Sequence, residues 1–155
     1  MDFMEFARIC EQLEGISGRL EMIGIISRIL PDLPDDELPI FIRFVMGRIF
    51  PDWSPEKLGI GPNLLYEGVA YVAGIQKDDV VQVINRTGDV GQAVEELLAQ
   101  KEQTSFFSED LTLADVYRDL SAIALSEGKK SQREKLLLVR RLFTNAKPLE
   151  GRYLS

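Results

Sequence analysis

The sequence predicts a single all-α domain of about eight or nine helices arranged as helix hairpins. Apolar residues recur at spacings of three and four nearly throughout, and no stretch alternates with a period of two. β-Branched runs are short, and successive helical segments are joined by turns that carry glycine. At 155 residues and 17.5 kDa the chain has the length of one core.

Each element follows from its own punctuation. Phe3, Phe6, Ala7, Cys10 and Leu13 share one face of a first helix, which Gly15 stops. A second helix runs from about Ser17 to Leu30 and is closed by Pro31. Pro31-Asp32-Leu33-Pro34-Asp35-Asp36 is a loop, and Asp35-Asp36-Glu37 is an acidic helix start that the helix dipole alone explains. Pro39 is tolerated in the first turn of this third helix, which carries Ile40, Ile42, Phe44 and Val45 and ends near Gly47 or Arg48.

Phe50 to Pro55 form a turn-rich connector, in which Trp53 is expected to lie as a lid on the core. Pro62 opens a fourth helix that continues through Leu64, Leu65, Val69 and Val72 to Gly74. A fifth spans Lys77 to Arg86 and is stopped by Thr87-Gly88, and Asp89 caps a sixth that runs to about Lys101. Thr112 caps a seventh, with Asp115 three residues on in the capping-box position and Gly128 as terminator. Ser131 caps the last long helix, through Leu136, Leu137, Val139, Leu142 and Phe143.

Composition removes several classes of activity. The chain is 45% hydrophobic and 28% charged, ordinary values for a globular protein and not for a disordered one. Apolar runs are broken by charge within a few residues, and the acidic start Met1-Asp2-Phe3-Met4-Glu5 does not suit a signal peptide. There is no histidine, so the usual general base and the usual metal ligand are both missing. The single cysteine, Cys10, excludes a disulfide framework or multi-cysteine metal site, fits a cytosolic setting and should be an inert buried thiol.

Charge is distributed unevenly. Net charge is −7, yet the eight bases of residues 128–152 stand against only Glu134 and Glu150. A basic segment on an acidic body is a candidate anion-facing surface, or else a solvated helix face. Three turns place glycine just before a helix start: Gly59-Ile60-Gly61, Gly88-Asp89-Val90-Gly91 and Gly128-Lys129-Lys130-Ser131. Glycine admits close approach of a ligand to the backbone, and the first helical turn offers unpaired N–H groups. Phosphate oxygens complement both. Around the third turn Lys129, Lys130, Ser131, Gln132 and Lys135 supply ammonium, hydroxyl and amide donors suited to a phosphate backbone without base readout. No nucleotide P-loop is present, since no Gly-Lys-Ser or Gly-Lys-Thr closes a six-residue loop.

The order of these signals resembles the amino-terminal DNA-binding domain of ATP-dependent DNA ligases of the archaeal and eukaryotic replicative type. The matching residues are Gly18-Arg19-Leu20-Glu21-Met22, Gly47-Arg48 with Pro51, Leu58-Gly59-Ile60-Gly61 and Thr87-Gly88-Asp89-Val90-Gly91. They continue with Leu111-Thr112, Val116-Tyr117, Gly128 to Lys135, Ala146-Lys147-Pro148-Leu149-Glu150 and Tyr153-Leu154. The resemblance covers essentially the whole chain. It implies helix hairpins that grip nicked duplex across the minor groove, with turns touching phosphates on both sides of the break. Carried onto this chain, the implied contacts are Gly59, Gly61, Gly88, Gly91, Lys129, Lys130, Ser131, Gln132 and Lys135.

The resemblance also implies ATP and Mg2+ for a parent ligase and none for this fragment. It further implies roles in replication, repair and recombination, in the cytoplasm beside the nucleoid or in a nucleus. The Lys-x-Asp-Gly of the adenylated lysine does not occur, Lys77-Asp78-Asp79 being the nearest approach. In such ligases the domain continues past the position of Tyr153-Leu154. The expectation is therefore a truncated DNA-binding domain, without adenylation or OB-fold domains and unable to seal a nick alone.

Gln100 and Gln103 precede Phe106-Phe107, and this is similar to the sliding-clamp-binding loop of archaeal members of the family. It implies Gln103, Phe106 and Phe107 as a clamp contact, two aromatic anchors entering a pocket. The alternative is that both rings belong to the domain's own core. A rival for the whole chain is a helical protein-interaction module whose basic helix binds an acidic partner.

Overall fold

The computed structural model describes residues 1–101 and 108–155, so Gln103, Phe106 and Phe107 lie outside the described residues. Among the described residues nine α-helices and no β-strand occur: α1 Phe3–Glu14, α2 Arg19–Ile29, α3 Leu38–Val45, α4 Pro62–Ala73 and α5 Lys77–Thr87. They are followed by α6 Val90–Ala99, α7 Leu113–Leu125, α8 Ser131–Asn145 and α9 Pro148–Leu154. A short 3-10 turn, Leu30–Asp32, continues α2. The all-α expectation holds, and no described helix is long and apolar enough to cross a membrane.

The periodic apolar faces converge on one core. The rings of Phe3 and Phe6 on α1 stack with centroids 5.4 Å apart, and Phe6 meets Phe41 of α3 edge-on at 6.0 Å. Val69 of α4, Val80 of α5, Val94 of α6, Ile123 of α7 and Leu142 of α8 complete it, all essentially inaccessible to water. Full burial of each such side chain contributes about 1.5–3 kcal/mol. The α7–α8 hairpin is also tied by Asp119, buried on α7, whose carboxylate accepts from Arg118 Nε at 3.2 Å and faces Arg141 Nε at 3.7 Å. A lone carboxylate could not be buried there; two guanidinium partners make it tolerable.

Helix starts follow the anticipated chemistry at α6 and α7. Asp89 accepts from the Gln92 amide at 2.7 Å, and Thr112 and Asp115 exchange reciprocal bonds. Four expectations need correction. α9 was not anticipated; Pro148 opens it and Glu150 accepts from the Lys147 amide at 2.8 Å. α7 ends at Leu125, three residues before Gly128. Ser131 does not cap α8: Lys130 holds the cap position, and the Ser131 amide is already bonded to the Gly128 carbonyl at 3.1 Å. Trp53 is no lid, since 85% of it is exposed. Its connector folds on itself through the Ser54 amide to the Pro51 carbonyl and an Arg48–Asp52 ion pair, and this local turn leaves the indole outside.

Candidate nucleic-acid interface

Each of the three glycine turns is an elbow between consecutive elements, and each leaves backbone donors free. In the first, Gly59 has φ +64° and Gly61 is extended at φ −92° before Pro62 opens α4. No side chain caps this helix. Among the described residues the amides of Gly59, Ile60, Gly61 and Asn63 donate to no acceptor. The second elbow is led by Gly88 at φ +74°, whose amide closes α5 on the Ile84 carbonyl at 2.8 Å. Here the Val90 and Gly91 amides are free among the described residues, while the Asp89 carboxylate occupies the Gln92 amide. In the third, Gly128 has φ +96°, and among the described residues α8 has no side-chain cap and the Gln132 and Arg133 amides are free.

The elbows are held near one another. Gly61, Pro62 and Val90, from the first two, line one apolar hollow of about 330 Å³ together with Leu154 and Ser155. The first and third are joined directly, since Lys135 of α8 donates from Nζ to the Gly59 carbonyl at 3.1 Å. The second is braced from behind by α9. Arg152 bonds Glu14 at 2.7 Å and Glu95 at 3.2 Å, and its carbonyl lies against Gly91, where a β-carbon would come within 2.8 Å of it.

Electrostatics separates the elbows. Lys129, Lys130, Gln132 and Arg133 are exposed at the third, and among the described residues its three cations form no ion pair. Free amides and free cations at one helix start are suited to phosphate oxygens. The second elbow differs, because Asp89 already supplies an anion to the α6 dipole. Further along α8, the Arg140 guanidinium lies 4.0 Å from the Tyr71 ring centroid and Arg141 faces Asp119.

Lys135 is the sequence-predicted contact whose placement differs most. It is only 8% exposed, and its ammonium is turned inward to the elbow rather than outward to solvent. The signal was in the spacing: Lys135, Val139, Leu142 and Phe143 fall at i, i+4, i+7 and i+8, which is the buried stripe of α8. A lysine stem lies on apolar surface readily, with its ammonium reaching a polar edge. Lys57, exposed two residues before Gly59, is a further cation at the first elbow.

Gly88 and Gly61 have open space where a side chain would stand; Gly91 does not. Cys10 is half-buried on the inner face of α1, its thiol pushed up to about 12 by burial and by Glu14, which fits the inert role expected of it. No three of His, Cys, Asp or Glu come together as a metal site among the described residues.

The fold is an all-α domain of helix hairpins whose glycine elbows leave backbone amides free among the described residues. The family described as DNA ligase N terminus matches residues 2–155, and the chain belongs to that family. It is 62% identical over all 155 residues to a DNA ligase of Methanoculleus marisnigri and 61% identical to one of Methanosphaerula palustris. Against a DNA ligase of Methanothermobacter thermautotrophicus it is 37% identical over 153 residues. In each case it spans 28% of the relative's length.

Proposed function

We propose that this chain is the DNA-gripping part of an ATP-dependent DNA ligase, holding nicked duplex through its phosphate backbone without sequence preference. The observation that carries the reading is the pairing of two uncapped helix starts, at Gly61 and Lys130, through one lysine, with free amides at both. Phosphates would be met by the amides of Gly59, Ile60 and Gly61 and by Lys129, Lys130, Gln132 and Arg133. Gly88 and Gly91 would contribute backbone donors at the second elbow. Such a set positions a duplex and reads no base. The domain's part in the reaction is to concentrate and orient the break for a separate adenylating domain, which would use ATP and Mg2+.

Titration with a nicked duplex at several salt concentrations tests this. Each phosphate contacted contributes about −0.9 to the slope of log affinity against log salt, so a few contacts give a slope of about −2 to −4. Absence of duplex binding at about 50 mM salt, together with capture of an acidic protein ligand, would replace this reading with the interaction module. Gln103, Phe106 and Phe107 are proposed, on the sequence, as a contact to a sliding clamp.

A further inference from the structure

Lys135 is a buried cation that forms no ion pair among the described residues. Its one polar partner among the described residues is the carbonyl of Gly59, at 3.1 Å, whereas the buried Asp119 has two arginines beside it. Burying an ammonium against a single carbonyl costs free energy that a methionine of similar shape would avoid. The partner is itself unusual: Gly59 has φ +64°, a conformation that L side chains rarely adopt. A β-carbon at Gly59 would also stand 3.0 Å from the Lys135 ammonium. The ammonium thus meets a turn whose shape favours glycine and which leaves little room for a side chain beside it. The bond joins two segments 76 residues apart, the first elbow and the second turn of α8.

We infer that Lys135 is a positioning residue: it fixes the first elbow to α8 so that the free amides of Gly59, Ile60 and Gly61 and the donors at the start of α8 form one rigid phosphate-binding surface. The inference rests on the phosphate reading of the elbows. Its physical basis is pre-organisation. A loop whose amides bond to nothing in the protein has no ladder to hold it, and its ordering would otherwise be charged to binding. The ammonium supplies that order in advance and places a positive charge behind the row of amides. Lys135 itself touches no phosphate in this arrangement, which distinguishes it from Lys129 and Lys130.

The test is Lys135→Met, which keeps the stem and removes the donor, in the 155-residue chain. Backbone order parameters are measured by NMR, and a nicked duplex is titrated at several salt concentrations. In the wild type the Gly59–Gly61 amides should show order parameters of about 0.85, falling below about 0.6 in the variant, while Gly88–Gly91 stay unchanged. Duplex affinity should fall about fivefold with the salt slope unaltered. Lys135→Leu, which also removes the donor while keeping an apolar stem, should produce the same pattern and serves if the methionine variant does not fold.

Unchanged order at the first elbow would overturn the inference, as would lost order with unchanged affinity. A slope reduced by about one would instead make Lys135 a direct phosphate contact and remove the positioning role. Failure of the wild type to bind duplex would sink the phosphate reading and this inference with it, whereas failure of the variants alone to behave as stated would sink only the inference.

Discussion

Gly151 of α9 lies directly against Leu98 of α6: a β-carbon at position 151 would come within 2.3 Å of Leu98 Cδ1 and 3.1 Å of Val94 Cγ1. This contact seats α9 over α6 and so holds Arg152 against Glu95 and Glu14 behind the second elbow. Gly151→Ala should overpack the contact at a cost of about 1–3 kcal/mol. For a chain of this size each kcal/mol lowers Tm by about 2–4 °C. A thermal melt checks it, and an unchanged Tm would mean that the Leu98 side chain rotates away from the added methyl at little cost.

Gly61 and Gly88 are both solvent-open, but their backbones differ, at φ −92° and +74°. Gly88→Ala forces alanine into the left-handed region and should cost about 1–2 kcal/mol. Gly61→Ala should change stability by no more than about 0.5 kcal/mol, because alanine's poorer capping and its lower unfolded-state entropy oppose each other. Its effect should appear in duplex titration, where a methyl stands between the free amides and a phosphate. Loss of affinity at unchanged Tm assigns Gly61 to the interface; unchanged affinity removes it.

Eight of the nine described helices are legible because each carries an apolar stripe and a distinct stop or start, such as Pro62, Asp89 or Thr112. α9 is not, since seven residues are too few to display a period, although Pro148 and Glu150 mark its first turn. Trp53 was misplaced because size and hydrophobicity suggest burial, whereas a connector has no periodic partner to dictate where a side chain points. The elbows were legible as glycine spacings. Their inequality was not: whether Asp89 fills its own helix start, or Lys135 turns inward, depends on tertiary neighbours in other segments.

The clamp contact can be separated from folding. Replacing Phe106 and Phe107 together by alanine should abolish binding to a sliding clamp while leaving Tm within about 2 °C of wild type, because anchors of a partner interface are not packed in the domain's own core. A drop of ten degrees or so, the loss expected of core phenylalanines, would assign the rings to the core instead.

Glu150 gives a pH signature. It is buried, and burial holds its carboxyl above the ordinary value of 4.5 even though it accepts the Lys147 amide. The folded form therefore binds its proton more tightly than the unfolded chain. The stability this confers is present in full below pH 4.5 and is lost as pH rises through the folded value. Glu150→Gln keeps an acceptor for the Lys147 amide without the titration. Urea melts of the two proteins should give similar stabilities at about pH 4 and a growing advantage for the glutamine variant toward neutrality. The opposite trend would mean that the ionised carboxylate is the favoured form.

Asp89 divides helix capping from electrostatics at the second elbow. Its carboxylate accepts the Gln92 amide at 2.7 Å, a cap whose removal in Asp89→Ala should cost about 1 kcal/mol. Asparagine caps about as well, so Asp89→Asn should hold stability within about 0.5 kcal/mol while deleting one negative charge beside the free Val90 and Gly91 amides. If a phosphate approaches that elbow, the carboxylate repels it. Nicked-duplex affinity should then rise about two- to threefold in Asp89→Asn at low salt, with the gain shrinking as screening increases. Titration at about 50 mM and about 300 mM salt measures both effects, the Debye length falling below 10 Å between them. Equal affinities of the two proteins at low salt would mean that the Gly88–Gly91 elbow faces away from the duplex, leaving the first and third elbows to hold it.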